Sequence, residues 1–207
     1  MTDTFTTNPW FSIWTQPRQT IRAIVARHPR YHFFYLAALY GLQNVLFYAT
    51  YYSVGLTFHF AIVLLLAVVL SPLIGIVWFY FYGWLLHFTG RWLKGEAPFS
   101  HVQAALAWSK VPLVINILMW FILLAFTSEG MFVQYVSAPS IFFINAITLI
   151  TGVWSLVILI QGIREVQNFS VWRTIGNLII AYLIFAAFIF VLSLLYGLYL
   201  RYVGMGV

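Results

Sequence analysis

Apolar residues in this chain gather into long runs separated by short polar stretches. Tyr31 to Val54 is the first run, with tyrosines and phenylalanines at both ends. It holds the roughly 20 residues that cross a hydrocarbon core. Thr57 to Phe88 is longer than one crossing needs. Ser71-Pro72 followed by Gly75 predicts a bend there, because proline deletes a backbone bond and glycine admits a neighbouring helix. A hairpin instead would carry Arg91 and Lys94 away from most other basic residues, so the pattern predicts one long, bent span. The longest polar interruption follows, Phe88 to Pro112, FTGRWLKGEAPFSHVQAALAWSKVP. Its loop reaches Pro98, and Ser100 with Gln103 predicts a capping box starting a helix at His101. That helix is expected to lie partly in the interface until Pro112, a second kink, with Lys110 reaching back to the headgroups. Leu113 to Phe126 is the third predicted span, Ile141 to Ile163 the fourth, and Thr174 to about Leu200 the fifth, capped by Ser170. Thr148 and Gly152, four apart in the fourth, predict close packing of a neighbouring helix.

The first thirty residues have a different pattern. Asn8-Pro9-Trp10 reads as a helix start, and Pro17 as a second. From Pro17 to Arg27, Pro17, Ile21, Ile24 and Val25 share one face while Arg18 and Arg22 share another. This predicts an amphipathic helix in the headgroup layer, with Trp10, Trp14, Arg18 and Arg22 as its interfacial residues and His28-Pro29 as its stop.

Composition agrees with the runs. Of 207 residues, 63% are hydrophobic and 7% charged, and the mean hydropathy is +0.95. A soluble domain carries about 25% charged residues. The chain is therefore expected to be all-α, a single polytopic membrane bundle over residues 1–207: a tail and interfacial helix at 1–30, then five spans at 31–207. The net charge of +6 punctuates the ends of apolar runs, so it reads as topology and excludes a nucleic-acid footprint. With the N-terminus inside, Arg18, Arg22, Arg27, Arg30, Arg91, Lys94, Lys110, Arg164 and Arg173 fall inside or at the inner boundary, and only Arg201 outside. The cytoplasmic loops are then 88–101 and 164–173, the Thr127–Ser140 loop with Glu129 is outside, and the C-terminus is outside. Cysteine is absent, which removes disulfides and thiolate sites. MTDTFTTNPW lacks the basic start and apolar core of a cleavable leader, so none is expected.

Three separated patches, NPWFSIWTQPRQTIRAIV, FTGRWLKGEAPFSHVQAALAWSKVP and VWSLVILIQGIREVQNFSVWR, resemble the Yip family of Ypt/Rab-interacting membrane proteins. Gly90 and Gly95 through Phe99 resemble the family's glycine-containing loop, Ala107 through Pro112 its small-or-aromatic segment ending in proline, and Trp154 through Glu165 its tryptophan-serine span. The resemblance implies a compact five-span protein with a cytosolic N-terminus. Eukaryotic members usually carry a longer polar N-terminal tail, so its near absence here implies a prokaryotic-type member in the cytoplasmic (inner) membrane.

Little material for catalysis is visible. Asp3, Glu96, Glu129 and Glu165 are the only acidic residues, and no metalloprotease, serine-elbow or phosphate-cradling motif is present. An enzyme is disfavoured, and no cofactor or metal is expected. His28 and His32 have a metal-ligand spacing, but Pro29 interrupts it and no third ligand is evident, so they read as interfacial histidines. His87 and His101 read as solvated loop histidines. The intramembrane polar set is Gln43, Asn44, Ser71, Lys110, Asn116, Asn145, Thr148, Gln161, Arg164 and Glu165. Polar groups in lipid need partners, so some are expected to converge between helices. Interhelical hydrogen bonding is preferred over a basic pocket formed by Lys110, Arg164 and Glu165. The residues expected to contact a headgroup or partner are Arg91, Lys94, Lys110, Arg164, Glu165 and Arg173. Two functions fit: a non-enzymatic protein that organises membrane or recruits a partner through its cytoplasmic face, and a small translocator of lipid or amphipathic solute. Membrane lipids are the expected partners, together with a second copy or another membrane protein.

Overall fold

The computed structural model describes residues 8–127, 132–133 and 138–204, and every regular element in them is helical. In chain order these are α1 (Pro9–Thr15), α2 (Pro17–Arg27), α3 (Phe33–Tyr51), α4 (Phe60–Trp92), α5 (Phe99–Ser109), α6 (Val114–Thr127), α7 (Ala138–Gln167) and α8 (Val171–Gly204). Short 3-10 turns at Val54–Leu56 and Val111–Leu113 precede α4 and α6. Most of the predicted outer loop Thr127–Ser140, including Glu129, and Asp3 in the tail lie outside the described residues; Thr127 ends α6, and 138–140 already belong to α7.

Four stretches are long and apolar enough to cross a membrane: Phe60–Trp92, Phe99–Leu123, Phe142–Gln167 and Val171–Val203. The predicted first span is helix α3, 19 residues or about 28 Å long. Gln43 and Asn44, with Tyr35, Tyr40, Tyr48 and Tyr51, dilute its hydropathy, so it is not one of those four. It packs antiparallel to α4 at glycine. A Cβ at Gly41 would collide with the Ser71 carbonyl, and one at Gly75 with the Ala37 carbonyl. Such backbone-to-backbone approach is how helices associate where lipid removes the hydrophobic drive.

Helix α4 is one long helix, as predicted, and continues through Pro72. It runs to Trp92, so the connecting loop begins at Leu93 and not at Phe88. Helix α5 departs from expectation. It starts at Phe99 with Pro98 at the N-cap, no side chain caps it, and the Ser100–Gln103 box does not form. It is also enclosed by protein: Val102 through Ser109 are all buried. Ala104, Ala105 and Ala107 keep the helix thin enough for α4, α7 and α2 to close around it, with Gly83 and Gly162 facing it. Pro112 stands in the 3-10 turn where α5 passes into α6.

The main core joins Ile13, Ile21, Ile24, Phe79, Leu106 and Trp108 to Ile158 and Ile163. A smaller cluster around Leu46, Val63, Ala67 and Trp120 packs the other half of the bundle. The α1–α2 arm therefore belongs to the bundle. The interfacial helix expected from its arginine face instead docks its Ile21 and Ile24 face on protein.

Candidate functional site

The ends of α4 and α7, the starts of α5 and α8, and the α1–α2 arm meet at one end of the bundle, and most of the basic residues gather there. Helices α4 and α7 stop in the same way. Lys94 (φ 61°) and Asn168 (φ 53°) take the left-handed conformation. Gly95 N–H then donates to the Gly90 carbonyl at 2.9 Å, and Phe169 N–H to the Arg164 carbonyl at 3.1 Å. This is the Schellman stop, whose left-handed position usually holds glycine. Here a lysine and an asparagine occupy it.

Gln167 ties the two ends together. Its Oε1 accepts the Ala97 N–H at 3.2 Å, and its side chain is pressed against Gly90 and Gly95. A Cβ at Gly95 would also lie 2.8 Å from the Phe169 ring, which is why the loop carries glycine there. Beneath it the Thr89 hydroxyl donates to Asn177 Oδ1 at 2.6 Å, and Asn177 Nδ2 donates to the Leu86 carbonyl at 3.3 Å. Thr89, Gln167 and Asn177 are buried. Most buried polar groups are paired, and here Thr89, Asn177 and the Gln167 Oε1 are, while the Gln167 Nε2 is buried without a partner.

Above this knot lies a cleft of 350 Å³ lined by Lys94, Glu96, Gln167, Asn168 and Arg173. Lys94, Glu96 and Arg173 are exposed, and the Arg173 guanidinium lies 5.6 Å from the Phe169 ring. Arg91 is exposed on the last turn of α4. Arg164 is partly buried.

Glu165 is already engaged. It accepts from Arg18 Nε at 2.9 Å and from Arg22 Nε at 2.6 Å, which fastens α2 to α7. The carboxylate holds the Arg22 guanidinium above its ordinary pKa. Glu165 is thus a strut of the fold and not a free contact for a partner. Trp10 donates from Nε1 to His32 Nδ1 at 3.2 Å and packs edge-on against Trp108. His32 is committed to that bond, and no group of three or more metal-ligating side chains occurs among the described residues. Trp14 and Arg18 line a 570 Å³ cleft with Gln161 and Trp154.

The basic pocket of Lys110, Arg164 and Glu165, weighed as the alternative to interhelical hydrogen bonding, does not form. Lys110 follows α5 by one residue, about 16 Å from that helix's start, and shares a cavity with Ser155 of α7. Glu165 is ten residues, or about 15 Å, further along α7. The polar set divides accordingly. Gln43, Asn44 and Thr148 join Lys110, and Asn116 pairs with Thr151 at 3.1 Å. Asn145 is exposed. Gly152 has nothing within 4 Å of a Cβ position and faces the Lys110 cavity, so the predicted close packing at Thr148–Gly152 is absent.

Sequence reasoning missed Gln167, Thr89 and Asn177. Polar residues beside a loop look solvated in a sequence, and only the glycines at Gly90 and Gly95 hint that something presses on the backbone there.

No curated protein and no solved structure matches the chain. The family model of the Yip1 domain does, over residues 11–206, and that stretch contains the glycine loop, the buried polar knot and the apolar helices described above. The chain is a multi-pass integral membrane protein, and it belongs to the Yip1 domain family.

Proposed function

We propose that this protein organises membrane or recruits a partner through the end of the bundle that carries Lys94 and Arg173, and that this end faces the cytoplasm of a prokaryotic cell. Helix α3 serves as a fifth crossing, with the N-terminus inside and the C-terminus outside. The charge pattern supports the orientation: Arg18, Arg22, Arg91, Lys94 and Arg173 stand at one end and Arg201 near the far end of α8. Basic residues are retained on the cytoplasmic side during insertion.

The observation that carries the reading is the cleft between Lys94 and Arg173. Its two walls are helix stops tied by one buried glutamine, so its basic groups are presented on an ordered surface. A partner can be met there without the ordering cost that flexible loops incur.

A photo-crosslinker at Glu96, which leaves Lys94 in place, tests it in native membranes. Capture of a discrete partner that weakens in Arg91→Gln and Arg173→Gln supports the reading, whereas equal capture by wild type and variants refutes it. The second reading, a translocator of lipid or amphipathic solute, is favoured by the cavity at Lys110. It needs a path from that cavity to the basic end, and the buried side chains of α5 occupy the interior between them.

A further inference from the structure

Two cavities meet inside the bundle, and their walls differ in chemistry. One, of 470 Å³, runs along α3 and α4 and is lined by Val45, Ala49, Val63, Leu66, Leu70 and Ile74. Leu66, Leu70 and Ile74 are exposed, so this groove opens sideways onto the apolar surface of the bundle. The other, of 410 Å³, lies between α3, α4, α7 and α8 and brings Lys110 together with Gln43, Thr148, Ser155, Tyr82 and Tyr182. Tyr40, Asn44, Tyr48 and Trp78 line both, so the two spaces adjoin along a shared wall. Each volume falls in the roughly 300–1,000 Å³ of small-molecule sites.

The charge in the polar cavity is unbalanced. The Lys110 ammonium lies 5.6 Å from the centre of the Tyr40 ring. The carboxylates among the described residues are elsewhere, Glu165 on Arg18 and Arg22 and Glu96 in the cleft of Lys94 and Arg173. A cation within the span of a membrane protein is costly unless it meets an anion, backbone carbonyls or water, and an anion is the partner that also balances its charge. Trp78 adds an indole N–H with no acceptor on the shared wall.

We propose that the joined cavities bind one single-chain anionic amphiphile of the fatty-acid class. The carboxylate sits on the Lys110 ammonium, and the acyl chain passes Tyr40 and Trp78 into the groove between α3 and α4. One cation and one apolar arm match one carboxylate and one chain, which sets this ligand apart from a two-chain phospholipid. The site is independent of the recruiting role proposed for the basic end.

The test is equilibrium binding of radiolabelled palmitate to the purified full chain in non-ionic detergent, with hexadecanol and a dioleoyl phosphatidylglycerol as competitors. Saturable binding of one palmitate per chain is expected, with hexadecanol and the phospholipid each competing at least tenfold more weakly than unlabelled palmitate. Lys110→Met is expected to weaken palmitate at least tenfold and Lys110→Arg to retain most of the affinity. Leu70→Trp, an exposed position that narrows the groove, is expected to weaken binding with Lys110 intact, and it carries the test if Lys110→Met does not fold. Equal competition by hexadecanol removes the role of the charge and overturns the proposal. Equal competition by the phospholipid, or wild-type affinity in folded Lys110→Met or in Leu70→Trp, overturns it as well. Crosslinking at Glu96 reads the basic end separately, because Lys110→Met leaves that surface untouched.

Discussion

The Ser71 hydroxyl donates to the Val68 carbonyl at 3.0 Å. In a regular helix the N–H of residue 72 would fill that acceptor, and Pro72 has none. The side chain before the proline thus restores the bond the proline removes, and α4 passes through apolar surroundings without an orphaned carbonyl. Ser71→Ala is expected to destabilise the protein by about 1 kcal/mol. In the Pro72→Ala background, where the N–H returns, the same change is expected to cost much less. Unfolding of the four proteins in a denaturing-detergent series measures the coupling, and additive losses would refute the compensation.

Gly41 and Gly75 sit where a methyl group would strike the facing backbone carbonyl, and neither carbonyl can turn aside without breaking its own helix. Gly41→Ala or Gly75→Ala is expected to cost about 1–3 kcal/mol through forced separation of α3 and α4. Gly152→Ala meets open space, so helix propensity alone is expected to make it neutral or stabilising by about 0.5–1 kcal/mol. Thermal melts of the three variants decide whether the α3–α4 seam is the tight one.

The contrast between these glycines shows what a sequence can disclose. Long apolar runs disclosed α4, α7 and α8, because a crossing helix needs only length and hydropathy, and the Ser71-Pro72-Gly75 stretch disclosed a close approach. Which face of α7 meets a helix was not legible, since Thr148 and Gly152 read alike whether they pack or line a cavity. The enclosure of helix α5 was missed for a related reason. Its QAALAWS stretch is too mild in hydropathy to announce full burial, and burial depends on glycines at positions 83 and 162 that are distant in sequence. The arginine face of α2 was read correctly as a pattern. Its partner was missed, because Glu165 lies more than 140 residues away.

That pairing makes a separate prediction. Glu165→Gln removes the negative charge and one of the two carboxylate oxygens, of which Arg18 and Arg22 engage one each, so α2 is expected to loosen from α7 while its Ile21 and Ile24 contacts persist. Amide hydrogen exchange in α2 is expected to quicken, and Arg18→Gln in the Glu165→Gln background to add little. Both arginines are substantially exposed, so raising the salt concentration is expected to shrink the difference between wild type and variant. A difference that persists unchanged in high salt would mean that packing, not charge, holds the arm.

Lys94 joins stability to function most directly. It occupies a left-handed position that usually holds glycine at a helix end, and a side chain in that conformation costs about 1–2 kcal/mol. Lys94→Gly is therefore expected to raise stability by about 1 kcal/mol, because the Schellman bonds need no side chain at that residue. If the cleft recruits through its basic groups, the same substitution is expected to weaken capture read from a crosslinker at Glu96. Lys94→Asn tolerates the left-handed backbone but lacks the charge, so it is expected to lose capture to the same degree. Stabilised Lys94→Gly with undiminished capture would show that the lysine is only a tolerated irregularity of the loop. A gain in stability paired with a loss of capture would show that this position trades backbone ease for a charge held at the mouth of the cleft.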